Sequence, residues 1–125
     1  MILKEFCAEN FTDVPLAIER GAQRIELCDN LAVGGTTPSV GVMAETVNYA
    51  HKHGAKVMAM IRPRGGDFVY TDTELHMMER DIQAAVQCDV DGCVFGTLTQ
   101  DDWIDVEALK RLIKTANGKT KFIRR

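Results

Sequence analysis

Apolar residues in this chain fall into two alternating patterns. Residues 2–7, 24–28, 56–61, 92–98 and 119–123 are short apolar-rich runs, which predict five strands. Between them, apolar residues recur at helical spacing: Val40, Met43, Val47 and Ala50, then Leu75, Met78, Ile82, Ala85 and Val86, then Leu109, Leu112 and Ile113. A further helix is predicted over 14–20, with Thr12 or Asp13 before it, Pro15 early in it and Gly21 after it. Ser39 and Asp105 are expected N-caps, and Thr71 with Glu74 fits a capping box.

The resulting order is β-α-β-α-β-α-β-α-β, with strand starts about 22 to 36 residues apart. That is the rhythm of βα units building a parallel sheet, either doubly wound and open or closed into a barrel. Side-chain parity separates the two. Leu3, Glu5 and Cys7 share one face of the first strand, Arg24, Glu26 and Cys28 one face of the second, and Met58, Met60 and Arg62 one face of the third. Ile25, Leu27, Val57, Ala59 and Ile61 point the other way. One polar and one apolar face suit a barrel, whose outer side meets helices and whose mouth tolerates charge, better than a sheet covered on both sides. A full eight-stranded barrel takes about 250 residues, so 125 residues amount to about half. The expectation is α/β, one partial TIM-barrel domain over 1–125, with four βα units and a fifth strand. Its unpaired sheet edges predict self-association.

Composition adds exclusions. Lys+Arg number 15 against 18 Asp+Glu, a net charge of -3, so no broad basic field attracts nucleic acid or an anionic membrane. No apolar run nears the ~20 residues of a membrane span, and Glu5 comes too early for a signal peptide; a cytoplasmic protein is expected. The four cysteines, at 7, 28, 88 and 93, show neither CxxC nor zinc-finger spacing, which argues against a disulfide framework.

Two clusters carry candidate chemistry. Arg62, Arg64, Gly65, Gly66 and Asp67 follow the third strand directly, at the sheet end where α/β folds bind ligands. The arginines can fork onto a carboxylate or phosphate, and the glycines let backbone amides approach it. With Glu5 and Glu26 as acid or base, this describes an enzyme acting on a small anionic metabolite. The plainer alternative is that the arginines pair with neighbouring acids and the glycines make a turn. The second cluster is the repeated Glu-x-Cys: Cys7 and Cys28 near the ends of adjacent strands, Glu5 and Glu26 one layer deeper, and Met58 or Met60 on the same face. Thiolate and thioether ligands select Cu(I). The alternative is that these sulfurs fill the core. His51 and His53 end a helix and His76 lies off its apolar stripe, so all three are expected on the surface.

Together, Glu5-Phe6-Cys7, Arg24-Ile25-Glu26-Leu27-Cys28, Gly34-Gly35-Thr36-Thr37-Pro38-Ser39, Arg62-Pro63-Arg64-Gly65-Gly66-Asp67-Phe68 and Val94-Phe95-Gly96 resemble the CutC family across nearly the whole chain. The resemblance implies a cytoplasmic TIM-barrel protein of about twice this length, linked to copper homeostasis and proposed to bind copper. Family members continue the fifth strand into a His-Arg-Ala-Phe-Asp segment, where this chain has Phe122-Ile123-Arg124-Arg125. The expectation is therefore an N-terminal half.

Overall fold

The computed structural model describes residues 2–117. Four βα units follow one another: β1 (Glu5–Glu9), α1 (Val14–Glu19), β2 (Arg24–Cys28), α2 (Val40–Lys52), β3 (Lys56–Met60), α3 (Asp72–Gln87), β4 (Gly92–Val94) and α4 (Val106–Ala116). A single 3-10 turn, Leu31–Val33, interrupts the loop after β2. The strands form one parallel sheet in the order β1-β2-β3-β4, the sequential winding of a barrel wall and not the reversed order of a doubly wound sheet. The expected fifth strand lies outside the described residues.

The helix ends form as their sequences dictate. Ser39 Oγ accepts from Val42 N at 3.2 Å, and Asp105 Oδ1 accepts from Ala108 N at 3.1 Å. Thr71 and Glu74 make the reciprocal capping box. Asp13 is the N-cap of α1 but makes no side-chain cap bond; Pro15 at the helix start limits the exposed donors there.

The core lies between the sheet and its helices. Ile25, Leu27, Val57 and Ala59 from the strands meet Met43, Val47, Met78, Ile82 and Leu112 from the helices, all buried. The other face of the sheet carries Glu5, Cys7, Glu9, Arg24, Glu26, Cys28, Lys56, Met58 and Met60. Register sets its layers: Glu5 pairs with Arg24 and Arg24 with Lys56, Cys7 with Glu26 and Glu26 with Met58, and Glu9 with Cys28.

Two strand boundaries differ from expectation. The first strand runs to Glu9 and begins at Glu5, because Lys4 O already accepts from Gln23 N and Arg24 N where β2 starts. The fourth ends at Val94. Leu98 N instead donates to Phe68 O at 2.8 Å, and Leu98 bridges Ile104, so the residues after Val94 belong to the loop layer.

Candidate functional site

Loops at the carboxyl ends of β2 and β3 are joined by Arg62. Its guanidinium donates to the carbonyls of Val33 at 2.6 Å, Gly35 at 3.0 Å and Gly66 at 2.7 Å, and lies 4.9 Å from the centre of the Phe68 ring. The Arg62 backbone N donates to Thr37 Oγ1 at 2.9 Å, and Thr37 N returns a bond to Arg62 O at 3.0 Å. Arg62 Nε and the Tyr70 hydroxyl are both buried without a hydrogen-bond partner of their own. Burial raises the Tyr70 hydroxyl pKa, against the opposing pull of Arg62 and Arg64.

The glycines of both loops have packing roles. Gly35 has φ +95°, and a Cβ there would meet Met60 Sδ at 2.8 Å and Cys28 Cβ at 3.3 Å. A Cβ on Gly65 would meet Val33 Cβ at 3.0 Å. The loops therefore lie directly on each other and on the end of the inner face.

Arg64 does not point to a ligand. Nε bonds Glu74 Oε2, Nη1 bonds the carbonyls of Gly65 and Asp67, and Nη2 bonds Val69 O and Glu74 Oε1, so all five N–H groups have protein acceptors. Glu74 holds the Arg64 pKa above its ordinary value, and Arg64 holds that of Glu74 below its own. Asp67 is exposed, lies 3.2 Å from Arg64 and accepts from Val69 N at 3.2 Å. The plainer alternative of paired arginines thus describes Arg64, with the acid supplied by the next helix and not by a neighbouring strand. Glu5 lies at the opposite end of the sheet, ion-paired with Arg24, and does not meet Arg62 or Arg64. The cavity lined by Gly34, Met60, Arg62, Phe68, Phe95 and Gly96 is about 30 Å³, space for a water and not a metabolite.

The sulfur cluster does assemble, with one correction. Cys7 is level with Glu26, a layer below Cys28, because β1 pairs two residues further along than parity alone suggested. Adjacent layers on neighbouring strands remain within reach, and Cys7 is near enough to Cys28 to help raise its pKa. Cys28 Sγ also lies 3.6 Å from Ala8 O. Cys28 is buried and Cys7 exposed. Burial, then Cys7, Glu26 and Glu9, push the Cys28 pKa up from 9.0 to about 12. Of the two methionines, Met60 approaches Cys28 across Gly35, while Met58 pairs with Glu26.

Sequence reasoning missed Glu9, whose Oε2 also accepts from Leu31 N at 2.7 Å. Continuing the alternation two residues past Cys7 would have found it. His51 bonds Asp91 at 2.8 Å, and His53 stacks on Tyr49 with centroids 4.2 Å apart, so both anchor the end of α2. Exposed His76 lies beside Asp72 and Glu79. Among the described residues, no group of three or more His, Cys, Asp or Glu converges as a metal site.

The CutC family model matches residues 2–124. The chain belongs to the CutC family. A CutC protein of Enterococcus faecalis is 59% identical over 117 residues, covering 94% of this chain and 56% of the relative. One from Streptococcus pyogenes is 50% identical with the same coverage. A crystal structure of CutC from Streptococcus agalactiae, named for copper homeostasis, superposes with a TM-score of 0.94 at 52% identity, covering 98% of this chain and 59% of that one. The chain thus spans about half the length of its CutC relatives, and its four βα units are half of a TIM-barrel wall. Among the described residues no helix is long and apolar enough to cross a membrane.

Proposed function

We propose that this chain serves copper homeostasis by holding Cu(I) between Cys7 and Cys28. The observation that carries the proposal is the placement of two thiols in adjacent layers of neighbouring strands on the inner face of the sheet, beside Glu9 and Glu26. Burial first, and then the neighbouring Cys7, Glu26 and Glu9, keep Cys28 protonated, and the acidic neighbours favour a cation arriving in place of the proton. Two thiolates are a soft donor set suited to a d10 monocation, and the Met60 thioether lies next to Cys28 as a third soft group. Copper bound there would be held as cargo. The site belongs to a cytoplasmic protein, since a reducing compartment keeps both sulfurs as thiols and copper as Cu(I). An enzyme acting on an anionic metabolite finds less support, because Arg64 has no N–H left for a ligand and Glu5 is remote from both arginines.

Competition with a chromogenic Cu(I) chelator tests the proposal. The parent should take up one equivalent, and the Cys7→Ser, Cys28→Ser double variant should lose it. Because the Cys28 proton must leave, affinity should fall about tenfold per pH unit on acidification from that proton alone. Equal affinities for parent and double variant would overturn the site.

A further inference from the structure

The register of β1 against β2 fixes how far apart the two inner-face thiols stand. Cys7 is opposite Glu26 and Glu9 is opposite Cys28, so the thiols are diagonal neighbours, one strand over and two residues along. Diagonal neighbours in a sheet lie about 7 to 8 Å apart, whereas a disulfide needs its Cα atoms within about 4.4 to 6.8 Å. Bonds bracket this stretch at both ends: Gln23 N donates to Lys4 O at 2.8 Å, and Asn10 N donates to Cys28 O at 2.9 Å. Sliding β1 along β2 to bring the sulfurs level would break both, and would part buried Ala8 from its partner Leu27 on the core side.

The two reactions open to such a pair have different reach. A metal ion held between two sulfurs spaces them by two metal–thiolate bonds of about 2.3 Å each. A disulfide closes the sulfurs to about 2.05 Å. The stagger suits the wider span. Reactivity points the same way, because a sulfur attacks another as the thiolate. Cys28 is buried, its Sγ lies 3.6 Å from Ala8 O, and its pKa is pushed up to about 12, so it stays a thiol at neutral pH. The soft group next to Cys28, Met60, is a thioether and forms no disulfide at all.

We infer, resting on the Cu(I) reading of this site, that Cys7 and Cys28 are a metal-spanning pair and not a redox pair, so that copper must reach them already reduced. For a dithiol to reduce copper by itself, two thiols each give up a proton and one electron, a bond forms between the sulfurs, and two Cu(II) ions become two Cu(I). The register withholds that bond, which leaves the electrons of this pair without an outlet. The reaction that supplies the site is therefore a one-electron reduction of Cu(II) by a donor outside the pair. Cu(I) then enters by exchange for thiol protons, with no change of oxidation state at copper or sulfur.

Oxidation of the reduced parent tests this, under argon with two equivalents of Cu(II) and separately with diamide, which needs no copper. After acid quench and alkylation, peptides are mapped by mass. The peptide linking Cys7 to Cys28 should account for less than about a tenth of the protein under both oxidants. The Glu26→Cys, Cys28→Ser variant places its two cysteines directly opposite and should link at least tenfold more under diamide. Linkage of more than about a tenth of the parent under either oxidant, or a folded variant that links no better than the parent, would overturn the assignment. If the variant fails to fold, the linkage of the parent alone decides. None of these results depends on Cu(I) affinity: a linked pair would leave the chelator competition to decide the copper site, and equal affinities in that competition would remove the copper site while the thiols stayed unlinked.

Discussion

Arg62→Met is the most direct test of how the loops over the inner face are held. The side chain is nearly isosteric, and its loss removes three charge-assisted bonds, to Val33, Gly35 and Gly66, together with the stacking on Phe68. A bond to a charged group contributes about 1.5 to 3 kcal/mol, and the cation–π contact about 0.5 to 1 kcal/mol. Two corrections reduce the sum. Val33 lies on an exposed loop, so its carbonyl regains water, and the variant no longer has to bury the charge of a residue that is only 8% exposed and whose Nε is unbonded. A net loss of about 3 kcal/mol remains. With a urea m-value of about 2 kcal/mol/M, the midpoint should fall by about 1.5 M. Arg62→Lys should recover only part of the loss, since one ammonium cannot span carbonyls that a planar fork reaches. A midpoint shift below about 0.5 M for Arg62→Met would refute the loops' dependence on this residue.

Gly35→Ala should cost about 2 kcal/mol, combining positive-φ strain with overlap on Met60, and urea titration of the variant alone and with Met60→Ala should show the second change recovering part of the loss. The Cys28 thiol gives a sign-specific pH effect. Its folded pKa of about 12 exceeds the 9.0 of a free thiol, so the contribution is fully present below about pH 9. As pH rises through that window the unfolded chain ionises first, and stability should fall by about 1.4 kcal/mol per pH unit. Urea titrations at about pH 8 and about pH 10.5 should show this extra loss in the parent and not in Cys28→Ser; identical pH dependence would refute it.

Periodicity made the architecture legible because each strand and helix of this half has its own local signal. The Thr71–Glu74 box and the Ser39 and Asp105 caps act within four residues, and all three were readable. Long-range register was not. Cys7 sits level with Glu26 because a chain-distant bond, Gln23 N to Lys4 O, fixes where β1 begins to pair. The role of Arg64 was hidden for a similar reason: its acceptor, Glu74, had been accounted for as the N3 residue of a capping box. One carboxylate does both, with Oε1 bonding Thr71 N and Arg64, and Oε2 bonding Arg64 Nε.

The contact of Val33 with Gly65 ties together two segments that lie about thirty residues apart in the chain. A larger residue at 65 would press on Val33, shift the carbonyl that Arg62 holds, and so be felt in both loops at once. Substitutions in the two segments should therefore be inherited as compensating pairs: a side chain gained at 65 is tolerated where 33 has become smaller, and the Arg62 donors persist only while both loops keep their carbonyls in place. In a library randomised at 33, 35, 62 and 65, the survivors should show statistical covariation between positions 33 and 65.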